Sequence, residues 1–168
     1  MKSPLKAIAI LGIVLGGVFG MAGSFVGANL RPSFWAIDGV GLIVATAILA
    51  LRYFRDQNDA VAVGFLVYST GEAVMLSGTA ASLEASVPAF AAGTALWSAA
   101  LLLVSLPRHF ALWTRAAGLI AAVLFAITSG SIFWGQPVNP LTHPLPFFAY
   151  PFLVLTFAGW VVALLKAS

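Results

Sequence analysis

Few residues in this chain can do chemistry. It has five carboxylates, two histidines and no cysteine. One acid, Glu72, sits within the apolar stretch VAVGFLVYSTGEAVMLSGTA, residues 61–80. If that stretch is helical, positions three, four and seven away share its face, which gives Phe65, Tyr68, Ser69, Met75, Leu76 and Thr79. Tyr68, Ser69 and Thr79 make the face partly polar, so Glu72 is expected to point into the protein. An acid inside a membrane is costly to keep and is a candidate proton or cation site by default. The competing reading is a protonated glutamic acid hydrogen-bonded to a neighbouring helix as polar glue. Arg31 would lie about 15 Å away along the axis by helical rise, too far to pair directly.

The remaining polar residues have simpler readings. Asp38 is read as the start of the second helix, where the helix dipole favours a carboxylate, with Arg31 as its partner; in a solute-binding bundle Arg31, Asp38, Asn139 and His143 are the outer-side polar candidates. Asp59 starts the third helix in the same way, and Glu84 is solvated in the loop SLEAS. His109 and His143 fall in loops on opposite sides of a layer about 30 Å thick, so they cannot share a metal or a haem. No metal site and no cofactor are expected. The absence of cysteine excludes thiol relays and cysteine-ligated clusters. The loop GQPVNPLTHPLPFFAYP is read as a stiff, extended spacer. Its sharper reading is a lid presenting Gln136, Asn139 and His143 to a cavity on the outer side. No nucleophile–base pair or paired carboxylates at catalytic spacing are evident, so an enzyme is the least favoured class.

These residues are carried by apolar elements. The chain is 61% hydrophobic and 8% charged, against about a quarter charged in soluble domains. Six runs are long enough to cross a bilayer, at about 5–28, 36–52, 60–82, 88–106, 113–134 and 147–165. They predict an all-α bundle of six transmembrane helices, a single integral membrane domain over residues 1–168, with both termini cytoplasmic. Seven of the eight basic residues then lie inside, with Arg31 the exception, as the positive-inside rule requires. The pI near 9.7 is accounted for by this topology and by anionic headgroups; nucleic acid is not an expected partner. The first segment resembles a signal peptide at its start, but its apolar run exceeds the 7–15 residues of an h-region, so it is read as a retained helix. The composition suits a multi-pass protein of a bacterial inner membrane.

Prolines cluster at helix ends and in loops, and aromatic residues are expected at both interfaces, with Phe34, Trp35, Phe133, Trp134, Phe147 and Phe148 outside and Tyr53, Phe54, Phe110 and Trp113 inside. In the first helix Gly12, Gly16, Gly20, Gly23 and Gly27 fall on one arc about 80° wide. Such a strip admits another backbone closely. It is expected to pack on the third helix or another neighbour in the chain, or else to dock a membrane-protein partner or a second copy. Gly64, Gly71 and Gly78 repeat the device at heptad spacing in the third helix. Trp97 and Trp160 lie away from the interfaces, as core residues or as the wall of an apolar cavity beside Tyr68. Small-residue elements AGS, STGE and TSGS near the middle of the odd-numbered helices hint at an internal repeat. In architecture alone, six short helices with a small-residue first helix resemble the substrate-binding subunits of energy-coupling-factor vitamin importers. Two functions are carried forward: a transporter-like or solute-binding bundle using a mid-membrane carboxylate, and a non-catalytic accessory or assembly subunit of a larger membrane complex.

Overall fold

The computed structural model describes residues 3–166, and among them it contains six helices and no strand. These are α1 Ser3–Gly23, α2 Arg31–Arg55, α3 Asp59–Gly78, α4 Val87–Ser105, α5 Leu112–Phe133 and α6 Ala149–Lys166. Each is long and apolar enough to cross a membrane. Lys2 lies outside the described residues.

Helices neighbouring in sequence are neighbours in space, and α6 closes back on α1 through the thinnest seam of the ring. The two ends of the bundle differ. One, here the lower end, carries the short loops 56–58 and 106–111, the start of α1 and the end of α6; the upper end carries loops 24–30, 79–86 and 134–148. Local signals explain the boundaries. Pro32 and Pro88 occupy the first turns of α2 and α4, where a missing N–H costs nothing. Asp59 opens α3, and Arg52 and Arg55 close α2, both favourable to the helix dipole. Two arginines satisfy the ends of preceding helices. Arg31 donates from Nε to Gly23 O at 3.2 Å and from Nη2 to Val26 O at 3.0 Å. Arg115 does the same for α4, to Ser105 O at 2.8 Å and Leu106 O at 2.9 Å. Such bonds occupy carbonyls that have no intrahelical donor.

Small residues bring the helices together. A methyl group at Gly12 would run into Gly41 O of α2, at Gly16 into Leu42 and at Gly23 into the Trp35 ring. The strip on α1 is therefore covered by its sequence neighbour α2 and not by α3. Gly27 has nothing within 4 Å, because α1 ends at Gly23 and the strip ends with it. On α3, Gly64, Gly71 and Gly78 face Val104, Trp97 and Ala89 of α4. These close approaches stand in for the hydrophobic drive that lipid does not supply.

The ring is filled by aromatic side chains. Phe65, Tyr68, Phe125 and Trp160 are fully buried. Trp160 sits 4.8 Å from Phe65 and 5.8 Å from Tyr68, both edge-on, and Trp97 5.2 Å from Phe125. Tyr53 and Phe110, expected at an interface, belong to this core at its lower end. His109 lies edge-on to Tyr53 at 4.8 Å. Its partial burial and the nearby Arg52 guanidinium hold it below the usual histidine range.

Several expectations need correcting. Helix α1 ends at Gly23 rather than at about 28. Helix α2 begins at Arg31 rather than at 36, so Asp38 lies two turns inside it. Helix α3 ends at Gly78, with Thr79 Oγ1 donating to Leu76 O at 2.7 Å. Glu72 is thus six residues from the upper end of α3, about 9 Å by helical rise, and not at mid-span. The elements AGS, STGE and TSGS likewise sit toward the upper ends of their helices. The proline-rich loop is folded into turns rather than extended. Thr142 N donates to Asn139 O at 3.0 Å, and Ala149 N to Pro146 O at 2.8 Å; the His143–Pro144 and Leu145–Pro146 bonds are cis.

Candidate functional site

Helices α2 and α3 run antiparallel, and two contacts set their register. Ser69 Oγ donates to Ile43 O at 3.4 Å, and a methyl group at Gly39 would lie 3.5 Å from Leu76. In this register Asp38 and Glu72 are roughly one turn, ~5 Å, apart along the axis. Asp38 also follows the buried stripe of its own helix, Leu42, Ala45, Leu49 and Tyr53, one turn above Leu42. Both carboxyl groups therefore point inward, from different helices, at one level of the bundle.

Between them and the upper loops lies a cavity of about 610 Å³. Its wall is built by α1, α2, α3, α4 and α6 and includes Gly20, Asp38, Glu72, Trp97, Tyr150 and Phe157. Glu72 is 2% exposed, and its Oε1 has no hydrogen-bond partner. Asp38 is half-buried, yet its Oδ1 is fully enclosed and equally unpartnered. The two acids are within electrostatic reach of each other and of the Tyr68 and Tyr150 hydroxyls. Tyr68 is directed at Glu72, but its hydroxyl and Glu72 Oε1 both lack a partner of hydrogen-bond geometry. Buried polar groups are normally paired, so two such acids facing one space mark that space out.

Arg31 does not neutralise them. It lines the cavity rim but is held by the end of α1 and by Trp35, whose ring centre is 5.8 Å from the guanidinium carbon. The Arg52–Asp56 ion pair, at 3.6 Å, lies at the lower end and does not reach Asp38 or Glu72. The expected Arg31–Asp38 pair is not formed, because the helix start lies seven residues before the acid.

The other sequence candidates divide clearly. Tyr68 stacks on Trp97, ring centres 5.7 Å apart and planes within 3°; Trp97 lines the cavity and Tyr68 backs it. Thr79 lines the cavity with its hydroxyl already donated to Leu76 O. Ser69 ties α3 to α2 and lies outside the lining. Asn139 Oδ1 accepts from Leu141 N at 2.9 Å, and His143 packs 4.2 Å from Phe147; neither lines the cavity. Pro140 does line it, and its carbonyl accepts from Tyr150 Oη at 3.3 Å. The loop therefore meets the cavity through backbone and ring, not through the polar side chains expected of it. Sequence reasoning passed over Tyr150 altogether; its position two residues from the loop, at the inward start of α6, was the available signal. Among the described residues no group of three or more His, Cys, Asp or Glu side chains comes together to hold a metal.

No family model matches this chain, and neither a curated protein nor a solved structure does. The functional reading rests on the geometry just described.

Proposed function

We propose that the chain is a solute-binding or transport bundle of a cell membrane, in which Asp38 and Glu72 together accept a proton or a cation from the upper cavity. One observation carries this reading: two carboxyl groups from adjacent helices each keep a buried oxygen unpartnered while lining the same cavity. An acid in a membrane helix costs on the order of 3 kcal/mol even on lenient scales. Two placed together, neither of them ion-paired to a cation, give little back to stability. The accessory-subunit reading drew on the glycine strip of α1 as a docking face, and that strip is occupied by α2.

The orientation proposed follows the charges. Lys6, Arg52, Arg55, Arg108, Arg115 and Lys166 lie at the lower end and Arg31 at the upper. By the positive-inside rule the lower end faces the cytoplasm, and the cavity then serves the exterior; the composition suits a bacterial inner membrane. Reporters fused after Ser168 and within 52–59 should read cytoplasmic, and within 135–146 external. A C-terminus on the far side would overturn the orientation.

The exchange itself is tested by infrared spectroscopy of the purified protein across a pH series. The carbonyl band of a protonated carboxylic acid should appear and disappear with pH. It should be lost or strongly reduced when Asp38→Asn and Glu72→Gln are combined. Identical spectra for wild type and the double variant at every pH would remove the basis of the proposal.

A further inference from the structure

We infer that the solute is an organic cation with a bulky apolar body, an amine or a quaternary onium, whose charge is met by Asp38 and Glu72 and whose body fills the aromatic wall. This rests on the reading of the cavity as a solute site and narrows it to a substrate class.

Four observations select that class. The cavity, about 610 Å³, falls in the range of roughly 300–1,000 Å³ typical of small-molecule sites, which is far more space than a bare ion needs. Its wall carries the rings of Trp35, Phe90, Trp97, Tyr150 and Phe157, and aromatic faces attract cations, onium groups above all. Its charge is acidic: Asp38 and Glu72 face it unpaired, and the guanidinium at its rim is committed to Gly23 O and Val26 O. Finally, most hydroxyls in the wall are spent. Thr79 donates to Leu76 O at 2.7 Å, Ser86 to Leu83 O at 2.8 Å and Tyr150 to Pro140 O at 3.3 Å; the donors left include the Ser82 hydroxyl and the buried Trp97 Nε1, a sparse set for a sugar or an anion.

A hard metal ion fits less well. Calcium takes six to eight oxygen ligands and magnesium demands an octahedron of them, whereas this wall presents two deep carboxyls among rings and aliphatic side chains. An organic cation needs only one or two counter-charges, and a bulky onium is weakly hydrated, so it gives up little on leaving water; an ammonium N–H would donate to the carboxyl groups instead. The aromatic wall then supplies contact over the rest of its surface. Trp97, stacked on Tyr68, presents a ring held rigid by the core behind it.

The probe is tetraphenylphosphonium, with tetraphenylborate as the comparator of the same shape and opposite charge. Binding is measured by equilibrium dialysis against the full chain in lipid nanodiscs, with empty discs subtracted. Saturable binding of the phosphonium and none of the borate is expected. Asp38→Asn and Glu72→Gln should each weaken it by at least about tenfold, while Asp59→Asn, exposed at the lower end and outside the cavity lining, should change it less than about threefold. Sodium chloride at matched ionic strength should not displace it beyond screening. The inference is overturned if the borate binds as well as the phosphonium, if both amide variants keep wild-type affinity, or if the phosphonium does not bind saturably. If the carboxyl band still titrates when the phosphonium fails to bind, only the substrate class falls. If the band does not titrate either, the solute-site reading falls with it.

Discussion

Combining Asp38→Asn with Glu72→Gln is expected to abolish solute-dependent activity in the native host while the bundle stays folded. Asn and Gln nearly match the shapes of the acids and can both donate and accept hydrogen bonds, so the packing around them persists. The change in stability should stay within about 1 kcal/mol, the size of an ordinary hydrogen-bond adjustment. Activity is another matter. Removing one partner of a buried charge interaction costs on the order of 2–5 kcal/mol, or roughly 30-fold upward. Glu72→Leu separates this from a gluing role. An interhelical hydrogen bond in a membrane is worth about 1–2 kcal/mol at most, and losing one would lower the melting temperature. Glu72 Oε1 makes no such bond, so Glu72→Leu should leave the melting temperature unchanged or raise it, since an unpartnered polar group gives way to an apolar one. Thermal unfolding in one detergent and activity in the host decide between them. Full, equally pH-dependent activity in the double variant would end the transport hypothesis.

Hydropathy made the six helices legible because a spanning helix must be apolar over its whole length. The same criterion failed at the ends, where apolar residues continue after the backbone has left the helix. Phe25, Val26 and Ala28 read as membrane sequence, yet α1 has ended at Gly23 and the chain turns, with Phe25 N bonding to Ala22 O at 3.0 Å. The reverse error occurred at Arg31 and Pro32, where a charge was taken to lie before the helix although proline in a first turn marks its start. That error left Asp38 an outer-side candidate and hid its place beside Glu72. With α2 begun at Arg31, the spacing of Asp38 to Leu42, Ala45 and Leu49 would have placed the acid on the inward stripe rather than at a solvated cap. Glu72 could be singled out because its surroundings in sequence are apolar. Its convergence with Asp38, 34 positions away, could not, since it depends on the register of α2 against α3. That register is set by Ser69, Gly39 and Leu76, none of which announces its partner.

The glycines of α1 give the second large effect, because neighbouring positions on one helix should respond oppositely. Gly12 faces Gly41, and the two backbones touch: a methyl group at Gly41 would lie 2.9 Å from Gly12 O, and one at Gly12 would meet Gly41 O and, at 2.9 Å, Ala45 Cβ. Backbone cannot move aside as a flexible side chain can. Gly12→Ala must therefore part α1 from α2, at a cost on the order of 1–3 kcal/mol for an overpacked contact, and Gly12→Leu should prevent a stable bundle. Gly17 faces the thin seam between α1 and α6, where a methyl group would lie 3.5 Å from Phe157, an ordinary contact. Gly17→Ala should be neutral or stabilising by up to about 1 kcal/mol, the difference in helix propensity. Gly17→Leu should fold as well, yet its side chain would occupy the cavity that Gly17 and Phe157 both line, lowering solute affinity without loss of stability. Val14→Leu, on the exposed face of α1, should alter neither property. Melting temperatures in one detergent, set beside solute binding, read out both effects. Equal destabilisation by Gly12→Ala and Gly17→Ala would show that the α1–α2 backbone contact does not hold the first helix in place.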